Sequence, residues 1–124
     1  MKLLLVESWF LLLYFDCIMR FGDFKRLHEI VRNQKVTPFV KSGETIKQLC
    51  DAVDWGCVFY FRRVLCLQRS AATAVLLRRH GQNAQMVLGV QLLPFLSHAW
   101  VEVEGHVVND KPYMSEIFQV LERC

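Results

Sequence analysis

A chain of 124 residues, 53% of them hydrophobic, can bury a single core but is too short for two domains of ordinary size. A formal net charge of only +3, with no basic tail, argues against a protein that binds nucleic acid. We therefore predict one domain, residues 1–124. Its central arginines are expected on a solvated face: Arg62, Arg63, Arg69, Arg78 and Arg79.

The N-terminal segment is strongly apolar and has the sequence MKLLLVESWFLLLYFDCIM. Glu7 and Asp16 interrupt it well short of the roughly 18 apolar residues that a membrane span needs, and no A-x-A-like cleavage site follows. The two acids lie nine residues apart, which places them on opposite sides of a helix. We therefore predict a helix that is buried on most sides. Peripheral contact with a membrane surface, or contact with a partner protein, is the alternative.

The following segments continue the helical pattern. Residues 24–33 are predicted as a short helix, and residues 35–44 as a loop. A third helix is predicted to begin near residue 45, capped by Ser42 or Thr45. Residues 1–63 therefore form a helical N-terminal part.

The second half of the chain mixes helix and strand. Residues 66–81 are predicted as a helix, because they are rich in alanine and leucine and end in basic residues and a glycine. A strand follows at 84–93, and then a hairpin of strands 98–103 and 106–110. The tail, residues 115–124, is predicted as a closing helix. These elements define an α+β fold.

The hairpin contains a histidine and an aspartate twelve residues apart. If residues 103–105 form a three-residue loop with Gly105 left-handed, His98 lies directly opposite Asp110. Cross-strand partners have Cβ atoms about 4.5–5.5 Å apart, so these side chains would reach each other. A two-residue turn would instead place Asp110 opposite Ala99, on the other face. We predict the three-residue loop, because the glycine lies where the left-handed residue belongs.

A histidine held by a carboxylate supplies the base and the orienting group of a catalytic triad, because the carboxylate fixes the tautomer and stabilises the imidazolium. Cys66 is the candidate nucleophile. It lies at the predicted start of a helix, where the dipole favours a thiolate and free backbone N–H groups can bind an oxyanion. Purely structural roles remain open for the cysteine and the histidine, as does a helix that begins before Cys66.

The five cysteines in the chain are irregularly spaced and form no CxxC motif. This pattern indicates neither a disulfide framework nor a zinc ribbon. It is typical of a reducing environment, and we expect a cytoplasmic location.

The region around the candidate residues resembles the cysteine-peptidase protein of lasso peptide biosynthesis, a branch of the transglutaminase-like group within the papain-like proteins. The stretches that carry the resemblance are CLQRSAATAVLLRRHG and AQMVLGVQLLPFLSHAWVEVEGHVVND. The match covers about residues 64–110 closely, in the order Cys, His, Asp, whereas residues 1–60 match only in character. It implies a catalytic core at 64–110 with a triad of Cys66, His98 and Asp110.

The resemblance implies a papain-like or transglutaminase-like core that removes the leader from a ribosomally made precursor peptide. The cut frees the N-terminal amine of the core peptide, which a separate ATP-dependent lasso cyclase joins to an Asp or Glu side chain. No metal or organic cofactor is implied. Some relatives carry a fused leader-recognition domain, for which 124 residues leave no room. We therefore expect a stand-alone peptidase that relies on a separate leader-recognition protein, docked on residues 3–21.

In this interpretation Cys66 attacks the scissile carbonyl, His98 acts as general base and acid, and Asp110 orients the histidine. The Cys66 backbone N–H is one expected oxyanion donor. The second donor is left unassigned, with Gln48 and Gln68 as the available amides.

Alternative roles remain open for several of these residues. Trp100, on the predicted face of His98, either shields the histidine–carboxylate contact from water or is a core residue. A zinc site at His98, His106 and Asp110 is disfavoured, because the two histidines would lie about 13 Å apart along the hairpin. The main functional alternative is a non-catalytic scaffold that binds partners through the N-terminal helices.

Overall fold

The computed structural model describes residues 2–36, 46–92 and 95–124. Its helices are α1 (Lys2–Phe21), α2 (Phe24–Asn33), α3 (Ile46–Phe59), α4 (Cys66–Arg79) and α5 (Met114–Ile117). Its strands are β1 (Ala84–Leu92), β2 (Phe95–Val103), β3 (His106–Val107) and β4 (Gln119–Arg123). Most of the predicted loop at 35–44, with the capping candidates Ser42 and Thr45, lies outside the described residues.

The middle of the fold is α4, whose side chains beyond the first turn are almost all buried. Small residues such as Ala71 and Ala74 let other elements approach closely, and α4 packs against β1, β2, α1 and α3. The helix begins at Cys66. Gly81 follows its C-terminal end with a left-handed φ of 87°. Both predicted ends of this helix are confirmed.

The prediction that α1 is buried on most sides is wrong. Leu12 and Phe15 are fully buried on one side of the helix, where α3 and α4 cover it. The other side is exposed although it is apolar, and we call it the α1 stripe: Leu3, Val6, Phe10, Tyr14 and Phe21. Because both faces of the helix carry apolar residues, the sequence does not indicate which face the neighbouring helices cover.

Two general features of the fold concern membranes and redox state. Within residues 2–36, 46–92 and 95–124, no helix combines the length and hydrophobicity that a membrane span requires. All five cysteines are free thiols.

Arg78 is buried, which contradicts its predicted place on a solvated face. Its guanidinium donates to the backbone carbonyls of Ala84, at 2.7 Å, and Cys124, at 2.6 Å. It also donates to the carbonyls of Val31 and Gln34 at the end of α2. A planar group with five donors suits this convergence of carbonyls from separate segments, and it ties α2, β1 and the residue after β4 to α4.

The sheet is antiparallel with the order β3-β2-β1-β4. The predicted closing helix at 115–124 is wrong, because only Met114–Ile117 is helical and Gln119–Arg123 forms a strand beside β1. Along this segment Phe118 and Val120 are partly buried and Cys124 is buried, whereas Leu121 is exposed. The open edge of β1 needs partners for its backbone groups, and pairing with β4 supplies them.

The predicted three-residue loop of the hairpin is also wrong. Val103 pairs with His106 and Glu102 with Val107, so the turn contains only Glu104 and Gly105. Both turn residues have positive φ, 51° and 81°, as a two-residue hairpin turn of type I′ requires. The second strand is short, since β3 ends at Val107 instead of at residue 110.

The two faces of the sheet contribute to separate apolar clusters. Met86 and Val101 pack with the helices in the larger cluster. Val87, Trp100 and Met114 form a smaller cluster on the other face. The sheet therefore separates the helical core from a second, smaller buried region.

We predict that Arg78→Met lowers the free energy of unfolding by about 3 kcal/mol, because several buried carbonyls lose a charged donor. Arg79→Met is the matched control. Its side chain is about half exposed and lies 4.0 Å from Glu7, so its loss should cost less than about 1 kcal/mol. Urea unfolding followed by circular dichroism measures both changes. Equal effects of the two substitutions would contradict the assigned role of Arg78.

Candidate active site

The best-defined polar contact of the candidate site joins His98, on β2, to Asp110, in the segment after β3. His98 Nε2 lies 2.6 Å from Asp110 Oδ2, and both side chains are partly buried. An ionised carboxylate can only accept a hydrogen bond, so the contact assigns the ring proton to Nε2. Nδ1 is then the nitrogen left to act as a base.

This contact forms although the hairpin has a two-residue turn. Val108 N donates to Val101 O at 2.9 Å, and the chain then leaves the strand pairing. The side chain of Asn109 takes the next position, with its Oδ1 accepting from Val101 N at 2.7 Å. Asp110 is thereby free to turn towards His98. The predicted partner is present, but a bend delivers it and the predicted register does not.

Asp110 is held in its ionised form. Partial burial opposes ionisation, but the hydrogen bonds from His98 and from the backbone N–H of Lys111 outweigh it. The charge of Arg69 acts in the same direction. Together they keep the pKa of Asp110 below its ordinary value, so this carboxylate is charged across the neutral range.

Aromatic rings surround the histidine. The His98 ring stacks at 5.5 Å from Phe118 and at 6.2 Å from Trp100, measured between ring centroids. Trp100 is fully buried and donates from Nε1 to Glu102, so it is a core residue that also covers the histidine. Gly89 on β1 leaves space for these rings, because a Cβ there would lie 2.7 Å from Trp100 and 2.8 Å from Phe118.

Cys66 is exposed and is the first residue of α4. A helix that begins earlier is therefore excluded. Gln68 helps to fix this start, because its Oε1 accepts from Leu65 N at 3.4 Å and its Nε2 donates to Leu12 O at 2.8 Å. Gln68 is buried and does not line the cavity beside Cys66, so it does not present a second oxyanion donor there. Gln48 is exposed on α3 and does not line the cavity beside Cys66.

A cavity of about 230 Å³ opens beside Cys66. Cys66 and His98 both line it, together with residues of α2, β1 and β4: Phe24, His28, Leu88, Gly89, Val90 and Leu121. Among the described residues, no hydrogen bond joins the Cys66 thiol to the His98 ring. The ring stacks with Trp100, on the sheet face that does not carry the helical core. The structure thus places Cys66 and His98 in the lining of one cavity without joining them directly, and Asp110 reaches this site only through its contact with His98.

Metal ligation is an alternative chemistry for His98, His106 and Asp110. His106 is exposed on β3. Across the described parts of the chain, no three His, Cys, Asp or Glu side chains lie close enough together to hold a metal ion.

Several residues near the site were not identified from the sequence. Phe118 lies in the predicted closing helix, and no role was predicted for Asn109 from the sequence. His28, in the cavity wall, has Nδ1 3.7 Å from Glu122 of β4. Arg69, assigned to a solvated face, donates to Asp54 at 2.7 Å and to the Asn109 carbonyl at 3.2 Å. For Asn109, the Asn-Asp pair that follows the strand was the signal available in the sequence. The contacts of His28 and Arg69 are with residues distant in the chain, so no local sequence pattern indicates them.

Comparison with known proteins identifies the family. A family model described as the transglutaminase-like superfamily matches residues 11–123. The chain therefore belongs to the transglutaminase-like superfamily, and the predicted α+β core with N-terminal helices and a small antiparallel sheet is confirmed.

A more particular similarity is to the microcin J25-processing protein McjB of Escherichia coli. The two are 43% identical over 56 residues, which is 45% of this chain and 27% of that protein. The matched stretch thus spans about a quarter of the length of the relative. No solved structure matches the chain.

The lowered pKa of Asp110 predicts a pH dependence of stability. A carboxyl whose pKa is lowered in the folded state stabilises that state above its unfolded pKa, about 3.9, and this contribution is lost as the pH falls through the folded pKa. The free energy of unfolding of the wild type should therefore fall more steeply below about pH 4 than that of Asp110→Asn. Urea unfolding at a series of pH values measures it, with Glu116→Gln, an exposed acid, as control. Parallel curves for Asp110→Asn and the wild type would refute the assigned ionisation.

Proposed function

We propose that this protein is a cysteine peptidase that removes the leader from a ribosomally synthesised lasso peptide precursor. The observation that carries the proposal is the His98–Asp110 pair, whose histidine lines the same cavity as a cysteine at a helix N-terminus. Membership of the transglutaminase-like superfamily and similarity to a microcin J25-processing protein support it.

The proposed reaction begins with transfer of the Cys66 proton to Nδ1 of His98. The thiolate attacks the scissile carbonyl, and the Cys66 backbone N–H at the start of α4 donates to the developing oxyanion. The imidazolium, held at Nε2 by Asp110, then protonates the leaving amine. Water hydrolyses the thioester in the reverse sequence of proton transfers. In this structure the His98 ring lies on the sheet face away from the helical core, so the proposed reaction requires the ring to move to the thiol when peptide binds.

The cavity supports a peptide substrate. Its walls are largely apolar, and its volume of about 230 Å³ lies below the roughly 300–1,000 Å³ typical of sites that enclose a whole small molecule. A site of this size beside the nucleophile suits one side chain of a longer chain that otherwise stays outside.

The proposal includes partners and a location. The cleaved core peptide would pass to a separate lasso cyclase, and a separate leader-recognition protein would deliver the precursor. A disordered leader loses entropy on binding, which one small cavity cannot offset, and tethering by a second protein raises the local concentration of the cleavage site. The free cysteines are consistent with a cytoplasmic location for these steps.

The α1 stripe is the proposed docking surface for the leader-recognition protein. Apolar residues that stay exposed along one helix face are costly in water and are typical of protein contact sites. Phe10 and Phe21 are 58% and 84% exposed, although α1 packs tightly on its other side.

Substitution of the triad tests the peptidase reaction. Cys66→Ala should lower the rate of leader cleavage by several orders of magnitude, because the nucleophile is lost. His98→Ala should do the same, and Asp110→Asn should leave a residual rate because the base remains. Mass spectrometry of the precursor measures cleavage, with Cys17→Ala, another exposed cysteine, as control. Cleavage by folded Cys66→Ala at the wild-type rate would instead support the non-catalytic scaffold.

The docking surface is tested separately. We expect the leader-recognition protein to raise kcat/KM for the precursor at micromolar concentrations, and Val6→Gln with Phe10→Gln to abolish the gain. Ile117→Gln, an exposed apolar residue of α5, is the control and should keep it. Equal kcat/KM with and without the partner would eliminate the dependence, and a gain that survives the double substitution would place docking elsewhere.

A further inference from the structure

Asn109 occupies an unusual position in the hairpin. With the observed pairing of Glu102 with Val107, a continued ladder would set Asp110 opposite Ala99. Neighbouring residues of a strand point to opposite faces, so Asp110 would then lie on the face away from His98. The ladder ends because the Asn109 side chain accepts the Val101 N–H at 2.7 Å.

The polar groups of Asn109 also connect the bend to α4. Its carbonyl oxygen accepts from the Arg69 guanidinium at 3.2 Å, and its Nδ2 donates to Ser70 Oγ at 3.4 Å. Arg69 and Ser70 follow Cys66 by three and four residues, which places them on the same side of the helix, one turn further along. Asn109 therefore bonds both to the strand that carries His98 and to the helix that carries Cys66.

Arg69 is itself held in place. Its Nε and Nη2 both donate to Asp54 Oδ1 on α3, at 3.1 and 2.7 Å. Because a guanidinium is rigid and planar, this contact fixes the direction in which its remaining N–H bonds point.

We propose that Asn109 and Arg69 are positioning residues of the active site, which release Asp110 from the β-ladder and hold it against His98 at a fixed place relative to Cys66. They act through Asp110 and touch no reacting atom. The favourable charge of Arg69 near Asp110 is consistent with this role. The kinetic consequence rests on the proposed peptidase function, whereas the structural consequence does not.

Asn109→Ala removes the acceptor for Val101 N and the donor to Ser70, and favours the continued ladder. We expect kcat to fall about 10- to 100-fold with KM changed less than about threefold, because a displacement of about 1 Å in a catalytic group has effects of this size. Asn109→Asp keeps the acceptor and should lose less activity than Asn109→Ala. Arg69→Lys keeps the charge but not the planar fork and should also have an intermediate kcat. Asn83→Ala, at an exposed asparagine before β1, is the control and should behave as the wild type.

A double-mutant cycle separates positioning from general stability. In an Asp110→Ala background, Asn109→Ala should lower kcat by less than about twofold, because the group that it positions is already absent. The same fold-loss in both backgrounds, or no loss in the wild-type background, would overturn the proposal.

A measurement without substrate keeps this inference apart from the peptidase proposal. The ¹⁵N shifts of the His98 ring report which nitrogen carries the proton, and we expect the Nε2-protonated form to be lost in Asn109→Ala but kept in Asn83→Ala. Unchanged ring shifts in Asn109→Ala would refute the positioning role. Retained cleavage by Cys66→Ala would refute the peptidase and leave this result standing.

Discussion

The burial of α4 constrains the position of every other element. A helix enclosed along nearly its whole length must find partners for its polar groups inside the protein, and it does so at both ends. Near its C-terminal end, Arg78 donates hydrogen bonds to backbone carbonyls of α2, β1 and the residue after β4. At its N-terminal end, Gln68 bonds to α1 and to the residue before the helix. Cys66 is therefore an exposed residue on a rigid support, which is the arrangement that a precisely placed reactive group requires.

The sheet carries His98 of the candidate site, and both faces of the sheet are covered by apolar clusters. Met86 and Val101 pack against the helices on one face of the sheet. Trp100 and its neighbours form a separate apolar environment on the other face. An ionised carboxylate in such surroundings is tolerable only when its oxygens are hydrogen-bonded, and Asp110 receives bonds from His98 and Lys111. The aromatic rings restrict the orientation of the histidine in this structure, and the contact with Asp110 sets its tautomer.

The features that the sequence predicted have local causes, and the others do not. The helix at 66–81 could be predicted because its residue preferences and the terminal glycine all act within a few residues. The closing helix was wrong because Ile117, Val120, Leu121 and Cys124 have helical spacing, whereas the strand arises from pairing with the distant β1. The turn was wrong because a glutamate at positive φ is uncommon, and Glu104 adopts it here. The His98–Asp110 contact was predicted from a strand register that is wrong, and the bend that produces the contact depends on Asn109 and on long-range partners.

The edge strand β4 forms one wall of the cavity, and this wall has a lower local stability than the helix α4, which carries Cys66. β4 has five residues, alternates between partly buried and exposed side chains, and faces an irregularity in β1 between Leu88 and Gly89. Strands of this kind open locally at a smaller free-energy cost than a buried helix such as α4. The Arg32–Glu122 ion pair ties this strand to α2 and counteracts such opening. The wall that contains Leu121 is therefore held less firmly than the helix that carries Cys66, so the width of the cavity is less strongly constrained than the position of the thiol.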